Sequence, residues 1–153
     1  MSQKTSHAGC ETDLRSSALL LERFAYWAVK TPAAIAVECG SQRLRYDELQ
    51  RAAAALSHGL AATGIGPGDR VALFLPPSVD AVIAMLALNR LRAAYVPLDT
   101  VSPVARLQRI VADSGPTLCL TEEGGAPWPL PQLCPAASCA ALTAAPAAAV
   151  SRK

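Results

Sequence analysis

Apolar residues at Leu20, Phe24 and Trp27 recur at i, i+4 and i+7, the spacing of one helical face. The pattern predicts an amphipathic helix that ends near Lys30, before Thr31-Pro32, with these three large side chains packed into the core. Ala34 to Cys39 and Gln42 to Arg45 then flank Gly40-Ser41, a two-residue hairpin signal in which glycine leads the turn. Tyr46-Asp47-Glu48-Leu49 opens the next helix, with acidic residues in the first turn where the helix dipole favours them. Leu49, Ala52 or Ala53, Leu56 and Leu60 make its apolar stripe, and Gly64 to Asp69 breaks it. Arg70 to Leu75 reads as a buried strand of the parallel-sheet kind. Pro76-Pro77 stops it, and Ser78 is placed to cap the helix that follows.

The stretch from Leu86 to Ser114 is the one around which the rest is arranged. Val82, Ile83, Leu86 and Leu88 cover more than one face of their helix, which predicts burial on most sides. Ala93 to Val96 reads as a short internal strand, and Pro97, which lacks a backbone donor, should end it. Asp99 sits in the turn, and Ser102-Pro103 should open the next helix, serine as N-cap and proline at the first helical position. Val104, Leu107, Ile110 and Val111 form that helix's stripe, closed by Ser114-Gly115-Pro116, and Thr117 to Thr121 adds a strand. From Leu49 onward the order is helix, strand, helix, strand, helix, strand, so parallel strands with right-handed crossovers are expected.

The remaining 123–153 alternates prolines with small residues, then turns alanine-rich, without a large apolar stripe; a loose tail is expected, with one helical turn at most around Ser138 to Ala144. Residues 1–16 are polar and aperiodic, and read as a disordered leader. With 153 residues, 52% hydrophobic but only 5% aromatic, the chain is long enough for one core built from modest side chains. A net charge of +2 is too small to argue for nucleic acid or an anionic membrane. No apolar run is long enough to span a membrane and the start lacks a secretory h-region, so a cytoplasmic location is the expectation.

Five cysteines do not make a disulfide ladder. Cys39 and Cys119 lie in apolar runs and read as small buried residues, while Cys134 and Cys139 lack the further ligands zinc would need. His58 stands alone on its helix and reads as a surface or capping residue. Gly64-Ile65-Gly66-Pro67-Gly68-Asp69 invites a phosphate-binding reading. It lacks the Gly-Lys-Ser/Thr ending of a P-loop and precedes a strand instead of following one, so it reads as a turn.

Several of these stretches carry a family resemblance. Ala94-Tyr95-Val96-Pro97-Leu98-Asp99, Pro103, Arg106-Leu107 and Asp113-Ser114-Gly115 resemble a core motif of the acyl-adenylate-forming enzymes, most closely the amino-acid adenylation domains of nonribosomal peptide synthetases. Glu22-Arg23-Phe24 with Thr31-Pro32, Leu44 to Leu49, and Gly64 to Arg70 followed by Leu75-Pro76 resemble other stretches of that family in the expected order. The resemblance runs over roughly 20–121. It implies an α/β fold that is the N-terminal portion of an acyl-adenylate-forming enzyme, a mostly parallel sheet with flanking helices, incomplete here. The partial N-terminal subdomain of such an AMP-binding domain would occupy 17–122.

The family activates a carboxylic acid with ATP and magnesium as an acyl-adenylate, then passes the acyl group to a phosphopantetheine thiol on a carrier protein. The resemblance places the phosphate loop, the adenine and ribose contacts and the catalytic lysine downstream of the matched region. No catalytic, cofactor-binding or metal-binding residue is therefore assigned, and the chain alone is expected to be inactive. The expected partners are the remaining part of the enzyme and the carrier protein. A non-catalytic scaffold or interaction module derived from such a domain is the alternative, and a free-standing nucleotide binder would need the glycine loop to hold phosphate. One departure stands out: relatives have Lys-Ala-Gly where this chain has Arg90-Leu91-Arg92. Glycine serves at such helix ends because it adopts the left-handed conformation cheaply, and Arg92 held there would cost about 1 kcal/mol.

Overall fold

Strand β3 (Arg70–Phe74) is apolar on both faces, and that property sets the architecture. In the computed structural model, which describes residues 17–122, 125–127 and 129–135, β3 lies inside a four-stranded parallel sheet. Its neighbours are β4 (Ala94–Pro97) on one side and β5 (Leu118–Thr121) on the other, with β6 (Gln132–Leu133) beyond β5. The order β4-β3-β5-β6 is that of a doubly wound sheet, in which the chain leaves the first strand in one direction and returns across it to the other.

Helices α2 (Tyr46–Ala62) and α3 (Val79–Arg90) belong to the layer built on Val71, Leu73, Leu118 and Leu120. Helix α4 (Val104–Ser114) covers the opposite face, where Leu107 and Leu98 meet Ala72 and Cys119. The period-2 alternation of β3 and β5 thus divides their side chains between two clusters. Leu56, Leu60, Leu88, Leu107 and Leu120 are among the largest fully buried side chains, each contributing roughly 1.5–3 kcal/mol by leaving water. As its all-round apolar pattern predicts, α3 is buried on most sides, packing mainly against α2.

Outside the sheet, β1 (Ile35–Cys39) and β2 (Gln42–Arg45) form the expected antiparallel hairpin. Cys39 pairs with Gln42, and of the two loop residues only Gly40 has positive φ, at 59°, as a glycine-led turn requires. Ser78 caps α3 by accepting a hydrogen bond from the Ala81 N–H at 3.2 Å. At the C-terminus of α3, Arg92 is held at φ 55°, the only non-glycine residue with positive φ among the described residues. The Arg92 N–H donates to the Asn89 carbonyl and the Ala93 N–H to the Leu88 carbonyl, which is a Schellman motif with arginine in the glycine position.

Several expectations are corrected. In α1 (Ser17–Lys30) the inward stripe is Leu21, Phe24 and Ala28, while Leu20 and Trp27 are exposed. Apolar residues surround this helix, and close approach to α2 and α3 favours the turn that presents Ala28 over the one that presents Trp27. Strand β4, expected to be internal, is an edge strand, with Ala94, Tyr95 and Pro97 exposed. Its even-numbered amides face β3, Ala94 donating to Asp69 and Leu98 to Leu73. The Pro97 nitrogen therefore lies on the outer edge, where no donor is needed, and the strand runs through it.

Ser102 is not the cap of α4. Its hydroxyl donates to the Asp99 carboxylate at 3.1 Å, Pro103 occupies the N-cap position, and the helix starts at Val104. Cys39 is exposed, its thiol 3.5 Å from the Pro77 carbonyl, because it falls at the hairpin tip where only one face is covered. Cys119 is buried as expected. Within the 123–153 stretch read as a loose tail, Gln132 and Leu133 form a parallel strand beside β5. The helical turn expected at Ser138 to Ala144 and the leader at 1–16 lie outside the described residues.

Candidate functional site

Glycine loops bind phosphate only if their amides are free, so the donors of Gly64 to Asp69 decide what that loop can do. The Gly64 N–H donates to Ala61, Ile65 to Leu60, Gly68 to Arg92 and Asp69 to Gly66, all to backbone carbonyls. The Gly66 N–H donates to the Asp69 carboxylate at 2.8 Å, and Pro67 has no N–H. Every amide in the loop is engaged, and a carboxylate already occupies the position an anion would take. Ile65 is buried and anchors the loop to the core. The loop is a turn that ties α2, β3 and the end of α3 together.

In doubly wound sheets ligands bind beyond the carboxyl ends of the strands. Here β3 is followed by Pro76-Pro77, which offer no donors, and the Ser78 hydroxyl oxygen is committed to the α3 cap. Asp80 in the first turn of α3 places negative charge where a phosphate would otherwise sit. At the end of β4, Asp99 accepts from the Val101 N–H and the Ser102 hydroxyl, both at 3.1 Å, and so shapes its own turn. The described residues do not form a site fitted to ATP and magnesium. Nor do they contain any cluster of three or more histidine, cysteine or acidic side chains able to hold a metal. His58 is exposed on α2, Cys119 is buried in the core and Cys134 is half-buried.

The residues that carry the family resemblance act as folding determinants. Glu48 accepts the Arg45 N–H at 2.9 Å and caps α2, while Leu49 behind it is buried. Leu98 and Leu107 are both buried in the cluster under α4. Ser114 donates to the Ile110 carbonyl, and Gly115 at φ 54° ends α4 in the left-handed conformation. Arg106 and Asp113 are exposed on α4. Sequence reasoning missed the Gln132 side chain, whose amide accepts from the Ala126 N–H at 2.7 Å and donates to its carbonyl at 2.9 Å. A glutamine reaching six residues back has no fixed spacing signal.

The remaining feature is surface. Tyr26, Trp27 and Val29 on α1, Ile35 on β1, Tyr95 on β4, Val101 before α4 and Val104 at its start are large apolar residues left exposed.

Comparison with known proteins places the motif residues in a family. Residues 24–151 match the AMP-binding enzyme family. Malpibaldin synthetase of Mortierella alpina is 45% identical over 94 residues, covering 61% of this chain and 2% of that protein. The dimodular nonribosomal peptide synthase of Bacillus subtilis (strain 168) is 36% identical over 121 residues, 75% of this chain and 5% of that protein. The N-terminal subdomain of Klebsiella oxytoca NpsA superimposes with a TM-score of 0.72 at 22% identity, covering 81% of this chain and 33% of that one. This chain therefore spans only a few per cent of the length of these curated relatives and a third of the matched structure.

Proposed function

This chain belongs to the AMP-binding enzyme family and corresponds to the N-terminal part of an adenylation domain, and from that premise we propose that it is the scaffold segment of an amino-acid-activating ligase. In this reading the complete enzyme joins an amino acid to AMP at the expense of ATP, with magnesium, for nonribosomal peptide biosynthesis in the cytoplasm. The acyl group then passes to the thiol of a phosphopantetheinyl carrier protein. The contribution of residues 17–122 is to fold the first strands and helices against which the rest of the domain is built. No residue of this segment is given a catalytic role, and the segment by itself is inactive. The observation that carries the reading is the coincidence of motif and architecture: Glu48, Asp99, Leu107 and Gly115 each cap, shape or anchor an element of the fold.

The test is ATP–pyrophosphate exchange by the purified chain, alone and mixed with a polypeptide supplying the rest of an adenylation domain. Exchange confined to the mixture supports the scaffold role. Exchange by the chain alone refutes it, because it requires a phosphate site that this reading denies. A folded chain that stays silent in both arms favours a non-catalytic module derived from the same fold.

A further inference from the structure

Helix α1 has two apolar faces, and only one is used among the described residues. Leu21 and Phe24 pack against the main core and Ala28 is buried, whereas Val29 is 80% exposed, Tyr26 54% and Leu20 50%. Glu22, Ala25, Tyr26, Val29 and Lys30 line a shallow groove of ≈ 750 Å³ along this outer face. Its floor is apolar, its centre holds the small Ala25, and its two ends carry opposite charges. Glu22 and Lys30 are separated by two helical turns, about 12 Å along the axis, with Tyr26 midway between them. That arrangement is self-complementary. A second copy of α1 laid antiparallel about a two-fold axis at Tyr26 would set each Glu22 against the partner's Lys30, with Ala25, Tyr26 and Val29 between.

We propose that this face of α1 is an isologous interface between two copies of the chain. Lys30 is already oriented for the role: its Nζ donates to the Tyr26 hydroxyl at 2.7 Å and lies 5.1 Å from the Tyr26 ring centre and 5.8 Å from that of Trp27. An ammonium has three donors, so the group held over these rings keeps capacity for a carboxylate from the second copy. Ala25 lets the two helices approach closely, and the exposed Val29 and Tyr26 supply the apolar contact. The interface would be small, one helix pair, and the dimer correspondingly weak. It is independent of the adenylation reading, because it uses neither ATP nor any downstream segment.

Sedimentation velocity on the full chain, over roughly 5–500 µM as suits a small interface, tests the proposal. The wild-type chain should shift from monomer to dimer, and Val29→Glu should weaken association by about tenfold or more. Glu22→Lys and Lys30→Glu should each do the same, since each homodimer then faces two like-charge contacts. An equimolar mixture of those two variants should regain dimer, because the heterodimer restores both ion pairs. Circular dichroism of the variants, all at exposed positions, shows that they remain folded. A wild-type chain that is monomeric throughout overturns the proposal. So does association that the charge reversals leave intact, or that their mixture fails to restore.

Discussion

Arg92 offers the sharpest test of the link between backbone conformation and stability. It sits at φ 55°, and its backbone is fixed from both sides: its N–H donates to Asn89 and its carbonyl accepts from Gly68. A residue with a Cβ pays about 1–2 kcal/mol in this region. Glycine removes that strain but gains freedom in the unfolded chain, which gives back about 0.4–1 kcal/mol. Arg92→Gly should therefore stabilise by a net of about 0.5–1 kcal/mol, since the side chain is exposed and makes no bond among the described residues. In urea titration the midpoint rises with an unchanged slope, and the melting temperature rises by roughly 2–6 °C. Arg92→Ala is the control, because alanine keeps the Cβ and so the strain; it should stay within about 0.5 kcal/mol of wild type. If alanine stabilises as much as glycine, the arginine side chain and not the backbone angle is responsible. If glycine destabilises, the left-handed assignment is wrong.

Other substitutions probe the capping, packing and loop contacts separately. Leu56→Ala removes a fully buried side chain between α2 and the sheet and should cost about 2–5 kcal/mol, read as a large drop in the urea midpoint. Ser78→Ala deletes the acceptor that caps α3 and should cost about 1 kcal/mol, with Ser78→Asn or Ser78→Asp recovering most of it. Gln132→Ala breaks both bonds to Ala126, so hydrogen exchange should accelerate at the Ala126 amide while global stability falls by no more than about 1–2 kcal/mol.

Much of the local structure was legible in the sequence because its causes are local. The Gly40-Ser41 turn, the Ser78 cap, the stripe through Leu49, Ala53, Leu56 and Leu60, and the left-handed strain at Arg92 each depend on a few neighbouring residues. The glycine loop was legible too, although the reason it excludes phosphate is stronger in three dimensions. The missing P-loop ending disfavoured phosphate, and the structure adds that each amide is spent, one of them on a residue 24 positions away, Arg92. The absence of an assigned catalytic residue followed from which family motifs lie within the chain.

What composition and periodicity determined were the elements from α1 to β5, their order, and an α/β architecture, since a 2.0 or 3.6 repeat records only whether a segment has a buried face. Which face, and against what, is a question of neighbours, and there tertiary structure decided. α1 carries apolar residues around most of its circumference, so its rotation was settled by close packing against α2 and α3, which turned Ala28 inward and left Trp27 outside. β4 reads as a strand from its side chains, but its place at the sheet edge came from crossovers on opposite faces, and that placement lets Pro97 remain within it. Ser102 had two acceptable local partners, a helix terminus and the Asp99 carboxylate, and the charged acceptor won. β6 is two residues long with no period of its own; it exists because β5 presents a free edge to Gln132 and Leu133.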